Sequence, residues 1–373
     1  MIITAYEAIC NLGNNLEEIF ENAISGNTNC FETSTDFIKG SPVRVGVIKS
    51  DLPEIKSFEF NLRCNRLLLK NLEPLREKIS HLKTIYSKSD IAIIVATTNS
   101  GVEEFETSKD NRHSELGNPA VFLRQELGLN GFYATVSTAC SSGLKAFSLA
   151  KNLLENGISS AVIVACVDTL AKVPIFGFNS LEVLSPSPSL PFSRNRNGMN
   201  IGEASSVFIL EKESPKGIKV LGIGESSDVY HPTTPDPQGK EAINAIQSAL
   251  SEAHLTPSDI DYINAHGTGT VANDIMEANA IYKVFKNTVP VSSTKPLTGH
   301  CLGAAAGIET ALCCKLIENF DGRLLPNAFD GEFDDTLPPI KLVEKISNYK
   351  QCNICMCNSF GFGGSNAILI LGK

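Results

Sequence analysis

At 373 residues, 42% of them hydrophobic and 20% charged, the chain can bury a large core and has the make-up of a soluble globular protein; length alone suggests two domain-sized units. A net charge of −9 argues against nucleic-acid binding through overall positive charge, while leaving room for a local basic patch facing an acidic partner. The 11 cysteines are scattered and odd in number, which suits a reducing compartment better than a disulfide framework. The opening MIITAYEAICNLGNNLEEIF lacks a basic n-region and turns acidic early, so no secretory signal is expected there. No uncharged apolar stretch approaches bilayer length, and a cytoplasmic protein without membrane insertion is the expectation.

Along the chain, short apolar runs alternate with longer amphipathic ones. Ile91–Thr97 (IAIIVAT), Ala161–Val167 (AVIVACV) and Val207–Leu210 read as buried strands. Between the first two, Ser141–Asn156 has helical spacing, with Leu144, Phe147, Leu149, Leu153 and Leu154 on one broad face. From Ile218 a similar rhythm starts again: strand IKVLGIG, a helix over Lys240–Ala253, strand IDYINA and a helix over Asp274–Phe285. Strand VPVSST, a helix over Leu302–Glu318 and the pair CNICMCNSF and AILILG complete it. This alternation predicts an α/β protein with mainly parallel sheets covered by helices. The chain reads as two similar fused halves, 1–217 and 218–373, with no linker between them. The stretch LSPSPSLPFSRNRNG (Leu184–Gly198) is too short for a linker and reads as an ordered loop.

Chemistry-bearing residues gather at four strand ends. In VSTACSSGLKAF, Cys140 closes a strand-like run just before a helix, where the positive end of the backbone dipole stabilises a thiolate and lowers the thiol pKa. An inert buried thiol is still the commoner fate of such a residue. INAHGTGT places His266 in a Gly/Thr-rich strand-to-helix turn, and SSTKPLTGHCLGAAAG does the same for Lys295 and His300. Lone histidines are usually structural, but two of only six in this chain sit where open α/β sheets build their sites. NSFGFGGSNA is a glycine-rich turn between the last two strands, consistent on its own with a tight hairpin. Cys352, Cys355 and Cys357 form a C-x2-C-x-C pattern, but in a strand Cys355 and Cys357 would share one face and Cys352 the other. With no complementary pair at zinc spacing, no metal site is expected.

Together these motifs resemble the β-ketoacyl-acyl-carrier-protein synthases, the elongating Cys-His-His condensing enzymes of the thiolase superfamily. The resemblance runs from ITAYEAICNLGNNLEEIFENAISG to NSFGFGGSNAILIL and includes DVYHPTTPDPQG and DYINAHGTGTVANDIMEANAI, in family order. It implies a thiolase-like fold of layered α-β-α-β-α arrangement, the nucleophile in the N-terminal half and both histidines in the C-terminal half. It also implies that Cys140 takes an acyl chain from acyl-carrier protein as a thioester. Malonyl-carrier protein then loses carbon dioxide, and the resulting carbanion attacks that thioester. His266 and His300 would hydrogen-bond the malonyl thioester oxygen, and the backbone N–H groups of Cys140 and Phe362 would form a second oxyanion hole. By the same resemblance Lys295 and Glu309 act electrostatically and in positioning, and Phe362 gates the acyl pocket. Thr268, Thr270 and Thr233 would line the pantetheine channel. No cofactor is implied, since substrates ride on the carrier's phosphopantetheine.

The chain departs from the family at PFS (Pro191–Ser193), where PFD is usual, at GEASS (Gly202–Ser206) in place of a GEGAG-like phrase, and in a shortened region between Gly101 and Gly131. These departures leave the acyl-chain preference open. LSPSPSLPFSRNRNGMNIGE and CVDTL are similar to synthases of aryl-polyene pathways, with fatty-acid synthesis the neighbouring reading. A non-catalytic partner resembling a chain-length factor, or a coenzyme-A-dependent thiolase, are the rival classes. Acyl-carrier protein is the implied partner, and Arg63, Arg66 and Lys70, three and four apart, could share a helix face that docks it. The family also pairs as two-fold dimers through the strand before the nucleophile, here Tyr133–Thr138, either with an identical chain or with a chain-length-factor homologue.

Overall fold

The computed structural model describes residues 1–343 and 348–373. Its strands are β1 (Ile2–Cys10), β2 (Glu32–Ser34), β3 (Val43–Gly46), β4 (Ile91–Ala96), β5 (Tyr133–Val136), β6 (Ala161–Asp168), β7 (Ile201–Gly202) and β8 (Ala204–Glu211). There follow β9 (Ile218–Ser227), β10 (Tyr262–Asn264), β11 (Pro290–Ser292), β12 (Lys341–Leu342), β13 (Ile354–Gly361) and β14 (Ser365–Gly372).

One strand order is used twice. The N-terminal strands run β5-β4-β6-β8-β1 and the C-terminal ones β11-β10-β13-β14-β9, with β12 added at the edge. In each set the first three strands are parallel to one another, and the fourth and fifth are added by antiparallel pairing. The sheets are therefore more evenly mixed than strand–helix alternation suggested, because the first and last strands of each half pair without a crossover helix. Two residue pairs, Ile2↔Lys219 and Ile3↔Ile218, join the two sets edge to edge.

The layers follow from side-chain alternation along β4 and its neighbours. Ala92, Ile94 and Ala96 point into a central cluster, while Ile91, Ile93 and Val95 point to an outer one. Helices Ser142–Glu155 and Ala305–Glu318 fill the central cluster, facing β4, β6 and β8 on one side and β13 and β14 on the other. Helix Arg63–Leu72 and its neighbours cover the outer N-terminal face, and helices Lys240–Ala253 and Val271–Phe285 the outer C-terminal face. The result is α-β-α-β-α. With both faces covered, β4 and β6 carry unbroken apolar runs rather than alternating ones.

The two central helices touch through small residues. A Cβ on Gly143 would stand 2.9 Å from the Ala306 methyl, which explains why both helices begin in Ser, Gly and Ala. Helix Lys240–Ala253 has the predicted ends. The helix predicted from Asp274 starts a turn earlier, at Val271, because Thr270 adopts extended backbone and serves as its cap position. The helix predicted from Leu302 opens as a 3-10 turn, Leu302–Ala304, before becoming α-helical.

Candidate active site

The turn after β5 aims Cys140 inward. Ala139 sits at φ +53°, a left-handed conformation that costs a residue with a Cβ about 1–2 kcal/mol. Neighbouring bonds hold it there: Thr138 N–H donates to Ser142 Oγ at 2.8 Å, and Ser359 Oγ donates to the Cys140 carbonyl at 2.8 Å. Cys140 is only 6% exposed, so it is reached through cavities and not from the surface.

The C-terminal half brings both histidines to this thiol. His300 Nε2 lies 3.0 Å from Cys140 Sγ. The His266 ring stands edge-on to His300, with centroids 5.4 Å apart. Glu277, which sequence reading did not single out, fixes the His266 turn by accepting from the backbone N–H groups of His266 (2.7 Å) and Gly267 (2.6 Å). An acidic residue on a helix carries no sign in the sequence that it will be buried under a neighbouring turn. Lys295 and Glu309 form a buried ion pair at 2.6 Å.

The electrostatics correct one expectation. Burial pushes the Cys140 thiol up to about 11, against the opposing pull of Lys295 and of the backbone N–H groups of Phe362 and Cys140 that face it. A helix N-terminus therefore does not give this resting cysteine a lowered pKa, because desolvation outweighs it. Burial first, and Lys295 second, hold His266 and His300 well below the usual imidazole range, so both rings are neutral at pH 7. Burial lifts Glu309 to about 7, with Lys295 opposing.

Two cavities meet at the thiol. One, of about 370 Å³, is walled by Thr233, Thr268, Thr270, His266 and His300. The other, of about 500 Å³ and mainly apolar, is walled by Val102, Val173, Pro174 and Leu302. Cys140, Phe178 and Phe362 line both. The Phe362 and Phe178 rings, with centroids 5.9 Å apart, stand at the junction. The geometry thus brings together Cys140, His266, His300, Lys295, Glu309, Phe362 and the three threonines. The shortened region reaches the second cavity at Val102.

The proposed docking trio divides. Arg63, Arg66 and Lys70 do lie on one helix, but the Arg63 guanidinium is committed to Glu203 at 2.6 and 2.9 Å, and Glu203 is 1% exposed. Arg63 also donates to the Ile48 carbonyl. It supplies the counter-charge that Glu203, buried in the departing GEASS phrase, needs. Arg66 and Lys70 remain half-buried beside it.

Cys352 lies before β13 and approaches Cys355 at 3.4 Å, so it is on the same side as Cys355 and not the opposite one. Cys357 meets Cys313 at 3.4 Å. Cys313 also contacts Cys355, so the four thiols run as a chain through the central core, and among the described residues they do not gather into one ligand cluster. The donor atoms of Cys140, His266 and His300 do lie within 4.8 Å of one another, but the Lys295 charge, which acts on all three, opposes a cation among them.

A thiol beside two neutral imidazoles, where a polar-walled channel meets an apolar pocket, can hold an acyl group covalently and stabilise an oxyanion next to it. The family comparison agrees. Residues 86–216 match the β-ketoacyl synthase N-terminal domain and residues 218–327 its C-terminal domain, and the chain belongs to the β-ketoacyl synthase family. It is 35% identical over 276 residues to nodulation protein E of Rhizobium leguminosarum bv. trifolii, covering 71% of this chain and 66% of that protein. It is 32% identical over 268 residues to 3-oxoacyl-[acyl-carrier-protein] synthase 2 of Staphylococcus aureus, covering 66% of this chain and 63% of that one. The matched segment thus spans just under two thirds of these curated relatives. Among solved structures, the ketosynthase ApeO in complex with its chain length factor ApeC, from Xenorhabdus doucetiae, is 37% identical. It superposes with a TM-score of 0.94 over 100% of this chain and 97% of that one. Among the described residues, no helix is long and apolar enough to cross a membrane.

Proposed function

We propose that the chain is a β-ketoacyl-acyl-carrier-protein synthase that condenses an acyl group held on Cys140 with malonyl-carrier protein. The observation that carries this is the 3.0 Å contact between Cys140 Sγ and His300 Nε2 at the meeting of two cavities, with His266 alongside. As Cys140 Sγ attacks the carrier thioester, its proton passes to His300 Nε2. The oxyanion forms against the N–H groups of Cys140 and Phe362 and collapses to expel the carrier thiol, which takes that proton. The acyl tail lies in the apolar cavity, and the vacated channel admits malonyl-carrier protein. Loss of carbon dioxide leaves an enolate whose oxygen accepts hydrogen bonds from the neutral imidazoles, His300 now carrying its N–H at Nε2. Its carbon attacks the acyl carbonyl and expels the Cys140 thiolate, which takes up a proton from solvent to restore the thiol. Lys295 and Glu309 hold the local field and the turn, and no cofactor takes part.

The retained Cys140, His266 and His300 speak against a non-catalytic chain-length-factor-like role. A thiolase would need a second active-site cysteine, whereas among the described residues Cys140 is the one cysteine lining the two cavities. For the acyl chain we favour a conjugated polyene, supported by the LSPSPSLPFSRNRNGMNIGE and CVDTL phrases. For assembly we favour a partner of the same fold along β5. That strand is a sheet edge whose Tyr133 is 42% exposed, and Val173 and Phe176, 63% and 61% exposed, flank the open apolar cavity. Native mass spectrometry with and without a chain-length-factor homologue separates a homodimer from a heterodimer. A panel of saturated and polyenoyl carrier proteins with malonyl-carrier protein tests the reaction. β-Ketoacyl products two carbons longer are expected, and product formation from acetyl-coenzyme A as extender instead would overturn the reading.

A further inference from the structure

Asp168 closes β6 in the CVDTL phrase, is fully buried, and takes no direct part in the chemistry proposed above. Its Oδ1 accepts from Thr97 Oγ1 (2.7 Å), Thr98 N–H (2.8 Å) and Asn99 N–H (3.1 Å). Its Oδ2 accepts from Thr98 Oγ1 (2.7 Å) and Gly303 N–H (2.7 Å), and more weakly from Thr98 N–H (3.1 Å). Among the described residues no cation pairs with it, so these donors alone satisfy the carboxylate. Thr97 Oγ1 in turn accepts from Ser100 N–H at 2.9 Å, and Asn99 Nδ2 donates to the Thr169 carbonyl at 2.9 Å.

The two segments tied together in this way both line the apolar cavity and adjoin there, since a Cβ on Gly303 would stand 2.9 Å from Thr98 Cγ2. Thr98, Asn99 and Val102 come from one, and Leu302 from the other. Leu302 sits at φ +51°, a strained conformation whose next N–H is the one bound by Asp168. His300 is anchored separately: its N–H donates to the Asn200 carbonyl at 2.7 Å and its carbonyl accepts from Gly202 N–H at 3.1 Å. Cavity shape and decarboxylation geometry thus rest on different bonds.

We propose that Asp168 is a positioning residue that sets the acyl-chain selectivity of the cavity beside Cys140, by fixing the Thr98–Val102 wall against Leu302. The inference rests on the reading of the chain as an acyl-condensing enzyme. Asparagine is nearly isosteric with aspartate, but its NH2 must face one of two groups that each contain a backbone N–H. Backbone N–H groups cannot turn into acceptors, so one wall is released.

The experiment measures acylation of Cys140 by acetyl-, octanoyl- and dodecanoyl-carrier protein, alongside decarboxylation of malonyl-carrier protein, for wild type, D168N and T97V. D168N is expected to lower kcat/KM for dodecanoyl relative to acetyl by about tenfold, and T97V by about threefold in the same direction, with decarboxylation within about twofold of wild type. T97V removes one donor to Asp168, together with the acceptor for Ser100 N–H on the same wall, and keeps the side-chain shape, so it decides the matter if D168N does not fold. An unchanged chain-length profile in the folded variants, or an equal fall in every activity including decarboxylation, overturns the inference while leaving the enzymatic reading in place. Wild-type protein that accepts no acyl group on Cys140 overturns both.

Discussion

Replacing Lys295 by methionine probes the buried ion pair at the centre of the site. The ammonium and the Glu309 carboxylate meet at 2.6 Å with 1% and 2% of their side chains exposed. Truncating one partner of such a pair strands the other charge and costs about 3–5 kcal/mol, whereas neutralising both is often close to neutral. Burial already lifts Glu309 to about 7, and loss of Lys295 removes the main opposing influence, so its pKa rises further. A carboxyl that titrates above its unfolded value binds its proton more tightly in the native state. Stability therefore falls as pH rises between the unfolded value, 4.5, and the native one. At pH 5.5 Glu309 is protonated and K295M costs little; at pH 8 it costs about 3 kcal/mol or more. K295M/E309Q recovers most of that loss. Urea denaturation followed by circular dichroism, at both pH values, measures these differences for wild type, both single variants and the double. A K295M deficit equal at the two pH values, or losses that add in the double variant, would refute the reasoning.

Three further outcomes follow from the same geometry. Ala139→Gly relieves the φ +53° strain and should raise stability by about 0.5–1 kcal/mol, read as a shifted urea midpoint at constant slope. Alkylation of Cys140 by iodoacetamide, followed by peptide mass mapping, should keep accelerating above pH 9, because burial holds its thiol near about 11; a plateau by pH 7 would contradict that assignment. Arg63→Met strands the buried Glu203 carboxylate and should cost about 3 kcal/mol of stability, while carrier-protein affinity, measured by surface plasmon resonance, stays at the wild-type value.

Much of the site was legible before any coordinates. The apolar runs of β4 and β6 announced strands covered on both faces, and the Gly/Thr-rich turns around His266 and His300 marked strand ends. The resemblance then assigned Cys140 its partners, and the fold places His300 Nε2 at hydrogen-bonding distance from its thiol. What escaped depends on distant pairings. Arg63 looked free for docking because nothing near it in sequence reveals Glu203, 140 positions away. The thiol pKa was misjudged because a helix N-terminus is visible locally, whereas burial between two half-sheets is not. Glu277 and Asp168 were passed over for the same reason: a buried carboxylate is recognised by the N–H groups that surround it, and those come from other segments.

The central claim is that Cys140 carries the growing chain while His266 and His300 manage the extender. It is tested most directly by intact-protein and peptide mass spectrometry after incubation with acyl-carrier protein, followed by a chase with malonyl-carrier protein. The account predicts an acyl adduct confined to Cys140 that disappears in the chase as β-ketoacyl product forms. In H266A the adduct should form and persist through the chase. An adduct on another residue, no adduct at all, or an H266A adduct that chases as fast as wild type would contradict it.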